Sequence, residues 1–223
     1  MRARRQGLHE RVMGGLLDEL LPDLTGRRVV DLGCGDGWLA RIALAREAAS
    51  VVGIDPSERM LALARARTPG ARFVHAFAED AELRAASADV VVSVLALHYI
   101  ADVAPVLRSV AGWLVPGGAL VVVVEHPFAT AVKARPDRAA LAETATQSAI
   151  GDRYQEEGML RERWFTDGVI RYHRRLGTWL NELAAAGLYV VRVAEPRPGG
   201  LAPDERGLAT RTPVLAIVAR VPH

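Results

Sequence analysis

Arg28-Val29-Val30-Asp31-Leu32-Gly33-Cys34-Gly35-Asp36-Gly37-Trp38-Leu39 carries an apolar run into a glycine turn that opens a helical pattern. A strand ending in such a turn puts backbone N–H groups where a cofactor can approach them. A dinucleotide fingerprint, G-x-G-x-x-G, would need its third glycine where Trp38 stands, and it has no use for an acid two residues before the first glycine. Asp31 occupies that place. A carboxylate at the strand end repels a pyrophosphate and attracts a cation, so the turn suits a positively charged cofactor without phosphate.

The same residues resemble the first motif, D-x-G-x-G-x-G, of the class I S-adenosylmethionine-dependent methyltransferases, whose cofactor carries an ammonium and a sulfonium. The likeness continues through Val51-Val52-Gly53-Ile54-Asp55, a strand ending in an acid, and Pro56-Ser57-Glu58-Arg59-Met60-Leu61, a helix start. It extends to the fourth-strand run Ala88 to Tyr99 and the turn Trp113-Leu114-Val115-Pro116-Gly117-Gly118. Asp55 lies ~20 residues beyond the glycines, the offset at which an acid bonds ribose hydroxyls. The resemblance implies S-adenosylmethionine as cofactor, with Asp31, Gly33, Cys34 and Gly35 around its methionine part. It also implies Asp55 and Pro56 at the ribose, Met60, Ala78 and Glu79 near the adenine, and Leu95 as a further cofactor-binding residue. The family's third motif usually has an acid just ahead of its alanine, and here Phe77 stands there.

Half of the 223 residues are hydrophobic, enough to bury the core of one α/β domain spanning 1–223. The net charge is +2, and Lys133 is the single lysine among 28 basic residues, a composition that does not mark a nucleic-acid footprint. The sole cysteine, Cys34, excludes an intrachain disulfide, and its place as a small turn residue points to packing rather than reactivity. The basic N-terminus lacks the apolar core of a signal peptide, and no apolar run approaches the ~18 residues of a membrane span. A cytoplasmic protein with no membrane partner, acting as monomer or homodimer, is expected.

Leu8, Val12, Leu16 and Leu20 recur at helical spacing, which predicts a helix over 8–21 within an N-terminal helical cap, 1–25. Beyond the glycine turn the pattern alternates: helix 38–47, strand 50–55, helix 58–67, strand 72–77, strand 90–96, helix 102–113, strand 119–125. Strands 90–96 and 119–125 are nearly continuous apolar runs, as central strands covered on both faces are. A helix over 178–186 and strands over 189–194 and 213–221 follow. The expected fold is a Rossmann-like seven-stranded, mostly parallel sheet with an antiparallel last strand and helices on both faces.

Residues 127–176 break this rhythm and read as an inserted lid, with Asp167-Gly168 signalling a hairpin between two β-prone runs. Within it Trp164, Tyr172 and His173 are candidates to wall an aromatic or apolar substrate, and Arg161, Arg163 or Arg171 could pair with an acidic one. Tyr99 is a further candidate for the substrate pocket. Which face of the hairpin turns inward is not legible from alternation alone.

His98 follows the fourth strand and His126 the fifth, so both are candidates to accept a proton from the methyl acceptor. A glutamate ending a strand run, Glu125, calls for a charged or polar partner. No carboxylate cluster follows the fourth strand, so no metal is expected, and the Asn/Asp-Pro-Pro-aromatic element of base-modifying enzymes is missing there. A weaker likeness over 93–196, including Glu125-His126-Pro127 and Arg171-Tyr172-His173-Arg174-Arg175, resembles bacterial small-molecule methyltransferases that N-methylate heterocycles such as azapteridines. Here the chain departs from them in its arginine-rich N-terminal segment without tyrosine. The expected activity is methyl transfer to an N or O atom of a small cyclic metabolite, with no nucleic-acid partner. Two alternatives stand beside it: a cofactor-binding regulatory member of the fold, and an RNA or protein methyltransferase.

Overall fold

The glycine turn lies at the end of the strand around which the sheet is built. The computed structural model describes residues 13–133, 153–162, 169–195 and 214–223. Strand β1 (Arg28–Leu32) pairs in parallel with β2 (Ser50–Asp55) on one side and β4 (Ala88–Val94) on the other. Outward from these lie β3 (Arg72–His75) and β5 (Leu114–Glu125), and then β9 (Val214–Arg220) and β8 (Tyr189–Ala194), in the order β3-β2-β1-β4-β5-β9-β8. Only β9 runs antiparallel to its neighbours, β5 and β8. This is the Rossmann-like arrangement expected.

Alternation along the strands sends side chains into two cores. Val30, Leu32, Val91, Leu120, Val122 and Ile217 meet α4 (Val103–Trp113) and α6 (Leu176–Ala185) through Leu107, Trp113, Trp179 and Leu183. Val29, Val51, Val90, Val121 and Val123 face the opposite layer, made by α1 (13–20) and α2 (Trp38–Ala45) through Leu16, Leu17, Leu39 and Ala43. Each fully buried aliphatic side chain contributes roughly 1.5–3 kcal/mol, which is why the central strands have no polar face. Helix α3 (Glu58–Arg67) connects β2 to β3, with Ser57 accepting the Met60 N–H as its cap.

Several boundaries differ from the sequence expectation for identifiable reasons. Strand β4 stops at Val94 because Leu95 adopts φ 54° and turns the chain into a 3₁₀ turn, Leu97–Tyr99. Strand β5 starts at Leu114, since the Pro116-Gly117-Gly118 segment pairs with the chain beyond β9: Gly117 N–H reaches Val221 O, and Val221 N–H reaches Gly118 O, both at 3.1 Å. Pro127, where the alternating pattern ends, is the first residue of helix α5 (Pro127–Lys133), where its missing N–H costs nothing. Helix α6 begins at Leu176 because remote groups cap it: the Tyr154 hydroxyl accepts Leu176 N–H and Glu157 accepts Arg175 N–H.

Strands β6 (Gly158–Glu162) and β7 (Val169–His173) form a separate antiparallel hairpin, with Met159 opposite Tyr172 and Arg161 opposite Ile170. The Asp167-Gly168 turn, Trp164 and Arg163 lie outside the described residues, as do residues 1–12 of the expected N-terminal cap. No helix among the described residues is long and apolar enough to cross a membrane.

Candidate active site

Gly33, Gly35 and Gly37 all adopt positive φ, and at Gly33 the need for glycine is absolute: a Cβ there would stand 2.2 Å from the Ala96 Cβ. The turn's donors are not directed outward as the sequence suggested. Gly33 and Cys34 N–H both donate to Ile54 O (2.8 and 3.0 Å), Gly37 N–H to Cys34 O (3.0 Å), and Gly35 N–H to Asp55 Oδ2 (2.9 Å). A turn that spends these donors on its own sheet is poorly equipped to cradle a phosphate.

What the turn does offer is acid oxygens. Asp31 is 2% exposed, and its Oδ2 is buried with no hydrogen-bond partner. Burial first, then the nearby Asp55 and Asp36 carboxylates, push its pKa up to about 8. A buried acceptor of this kind gains most from a cationic group, which would both satisfy the oxygen and hold it ionised. Asp55 accepts Gly35 N–H on one oxygen and Ser57 N–H on the other (2.9 and 2.8 Å), which fixes the carboxylate and leaves each oxygen a lone pair for a hydroxyl. Cys34 is buried beside these acids, and burial followed by the Asp31 charge raises its pKa, so it is a packing residue and not a thiolate.

A cavity of ≈ 360 Å³ opens at the C-terminal edge of the parallel strands, the ligand edge of open α/β sheets. Leu32 and Gly33 form its floor with Ile54, Asp55 and Pro56. The chain after β3 supplies Ala76, Phe77, Ala78 and Glu79, and the chain after β4 supplies Leu95, Ala96, Leu97, Tyr99 and Ile100. Phe77 is 60% and Tyr99 42% exposed, so the rim carries two aromatic rings. Met60 stands by the turn, its Cε 3.5 Å from where a Cβ on Gly35 would lie.

A methyltransferase-domain family model matches residues 30–122, the span that builds this cavity. The chain is 38% identical to an S-adenosylmethionine-dependent methyltransferase from Mesorhizobium loti, and the two structures align with a TM-score of 0.83 over 96% of this chain and 99% of that one. This chain belongs to the class I S-adenosylmethionine-dependent methyltransferases. It is also 32% identical to an uncharacterized protein from Haemophilus influenzae, over 99% of this chain and 91% of that protein. A Burkholderia thailandensis 1,6-didemethyltoxoflavin N1-methyltransferase shares the fold at 17% identity, with a TM-score of 0.62 over 89% of this chain and 72% of that one.

The residues fit that cofactor on chemical grounds: an orphaned buried carboxylate for its ammonium, a fixed carboxylate for ribose hydroxyls, and an apolar slot for a purine. The histidines of this methyltransferase stand elsewhere. His98 is buried in the 3₁₀ turn with its ring 4.3 Å from the Tyr99 ring, while Leu97 and Tyr99 on either side of it line the cavity. His126 accepts the Phe128 N–H on Nδ1 (3.1 Å) and meets Glu195 through Nε2 (2.8 Å), so the ring caps α5 with both nitrogens engaged. Neither histidine is among the residues lining the cavity.

Alternation in β7 divides the hairpin candidates between two faces. Arg171 and His173 are buried toward the sheet, whereas Tyr172 shares the other face with Met159 and Ile170, which are exposed. His173 bonds Thr130 Oγ1 through Nδ1 (2.6 Å) and the Tyr154 carbonyl through Nε2 (3.1 Å), tying the hairpin to α5. Arg171 pairs with Glu125, the strand-end glutamate whose need for a partner the sequence registers. Phe77, Ile54, Leu97 and Ile100 are wall residues that sequence reasoning passed over. Phe77 had a signal, as the apolar residue standing where the family carries an acid.

Proposed function

We propose that this enzyme transfers the methyl group of S-adenosylmethionine to an N or O atom of a small cyclic, aromatic or heterocyclic metabolite. The observation that carries the acceptor class is the aromatic rim: two exposed rings, Phe77 and Tyr99, border a cavity lined mostly by apolar residues, with Asp55 and Glu79 as its acids. Planar rings bind such edges by stacking, at about 0.5–1.5 kcal/mol per pair beyond area burial.

In this reading Asp31 holds the cofactor's ammonium, with Gly33, Cys34 and Gly35 shaping the turn around its methionine part. Asp55 takes the ribose hydroxyls next to Pro56, while Met60, Ala78 and Glu79 bound the adenine and Leu95 closes the facing wall. When bound, the cofactor supplies an electrophilic methyl group on sulfonium sulfur. The residues of the cavity would hold acceptor and cofactor in line for transfer of that methyl group and exclude water. Tyr99 orients the acceptor and His98 backs its ring. The buried His98 and the capping His126 act through structure rather than as bases. Hairpin β6–β7 stands as outer wall on the acceptor side of a single domain that works on free small molecules, without nucleic acid, as monomer or homodimer.

The test is transfer of an isotope-labelled methyl group from S-adenosylmethionine into a metabolite extract, followed by size and polarity fractionation. Label is expected in low-mass, ultraviolet-absorbing fractions. Label confined to precipitated RNA or protein would overturn the small-molecule reading. Calorimetric binding of S-adenosylhomocysteine with no label in any fraction would instead favour a cofactor-binding regulator.

A further inference from the structure

The wall of the cavity that faces the glycine turn is not part of the sheet. It is the segment 95–101, which leaves β4 at the positive-φ Leu95, makes one 3₁₀ turn and reaches α4 at its Asp102 cap. Its backbone donates from Leu95 N–H to Val123 O (2.7 Å), from Tyr99 N–H to Ala96 O (3.0 Å) and from Ile100 N–H to Leu97 O (3.2 Å). The carbonyls of Ile100 and Ala101 receive a side chain from outside the parallel sheet, since Arg174 Nη2 donates to both, at 2.5 and 2.8 Å.

Arg174 sits directly after β7 and is 8% exposed. Its guanidinium lies over the rings of Tyr172 (5.7 Å) and Trp179 (5.3 Å). No carboxylate of a described residue reaches it as an ion-pair partner, and Nη1 is buried without a hydrogen-bond partner. Burying a cation against carbonyls and rings, without a carboxylate in contact, costs several kcal/mol of desolvation. The arrangement is therefore poor as a stability device. What it secures is geometry: two rigid donors clamped on the backbone beside Tyr99 and Ile100, both of which line the cavity.

We propose that Arg174 is a positioning residue for cofactor binding: it holds segment 95–101 in the shape that completes the cavity, and so links the hairpin to the cofactor wall without touching the cofactor. The inference rests on the reading that this cavity receives S-adenosylmethionine. The experiment measures S-adenosylhomocysteine affinity by calorimetry and thermal stability for Arg174→Met, Arg174→Lys and Asp55→Ala. Arg174→Met is expected to keep its melting temperature within a few degrees of the parent while affinity falls at least tenfold, and Arg174→Lys, which retains a donor, to recover part of it. Folded Arg174→Met with unchanged affinity, beside a weakened Asp55→Ala, overturns the role of Arg174 alone. Unchanged affinity in both variants overturns the cofactor site itself. Should Arg174→Met not fold, amide exchange in Arg174→Lys decides: the Tyr99 and Ile100 N–H groups are expected to exchange at least tenfold faster than in the parent, and parental rates overturn the proposal.

Discussion

Replacing Asp31 by Asn separates the electrostatic reading of the glycine turn from a purely steric one. With burial, Asp55 and Asp36 holding its pKa at about 8, only about a tenth of the unliganded protein carries a charged Asp31 at pH 7. Binding an ammonium beside it must then release close to one proton, and affinity must rise with pH. Between pH 6 and pH 8 the ionised fraction climbs from about 0.01 to 0.5, so S-adenosylhomocysteine should bind on the order of 50-fold more tightly at pH 8, or roughly 2 kcal/mol. Asparagine fills the same volume without the charge. Leaving the ammonium unpaired costs about 3 kcal/mol, so Asp31→Asn should bind ~100-fold more weakly at pH 8.5. At pH 6, where the parent must first lose its proton, the gap should shrink to about twofold.

Stability should move the opposite way. A carboxyl whose folded pKa lies above its unfolded value keeps its proton in the folded state, so its contribution is full below the unfolded pKa, near 3.8. That contribution is lost as pH rises toward 8, at up to about 1.4 kcal/mol per pH unit. Unliganded Asp31→Asn should therefore melt higher than the parent at pH 8 while binding the cofactor product less well. Calorimetry in two buffers of different ionisation enthalpy reads the proton release, and scanning calorimetry reads the stability. A pH-independent affinity in the parent, or an Asn variant that binds as the parent does at pH 8.5, would refute the reasoning.

Gly33→Ala should destabilise the fold by about 2–4 kcal/mol, since it combines φ 81° with a 2.2 Å approach to Ala96; urea unfolding gives the number, and an unchanged midpoint would show that the turn relaxes freely. Native Cys34, with its pKa raised and its side chain buried, should resist a thiol reagent at pH 8 until the chain unfolds, so rapid labelling of folded protein would count against the packing role. Arg171→Met alone should cost about 3–5 kcal/mol by removing the buried ion-pair partner of Glu125, while Arg171→Met with Glu125→Gln should regain part of it in a double-mutant cycle. Asp89 accepts Arg28 N–H and Nε (2.8 and 2.9 Å), and the Arg28 bond above all holds its pKa below the ordinary value. Its contribution is present above the unfolded carboxyl pKa and lost as pH falls through the folded one, so Asp89→Asn should flatten the acid limb of the stability profile.

Local chemistry was enough to place the parallel half of the sheet and the acids at its strand ends. Strands β1, β2, β4 and β5 are apolar runs because both faces are covered, and Asp31, Gly33, Gly35 and Asp55 sit at strand ends, where order along the chain becomes position along one edge of a parallel sheet. Those features depend on near neighbours and on the period of a strand, so they are written in consecutive residues. The acceptor side depends on contacts between distant segments. Alternation made Tyr172 and His173 equal candidates, and only docking of the hairpin turned His173 inward to Thr130 and left Tyr172 on the other face. The two histidines follow the expected strands, yet His98 is buried in the 3₁₀ turn against the Tyr99 ring and His126 is held in a helix cap by a bond that no spacing encodes. The donors of the glycine turn were likewise claimed by Ile54 and Asp55, about twenty residues on. The sequence alone therefore determined the methyl donor, through a carboxylate where a phosphate binder has none. Tertiary packing decided which rings and guanidinium groups stand at the cavity and which are buried in the hairpin, because burial selects among side chains that local pattern leaves equivalent.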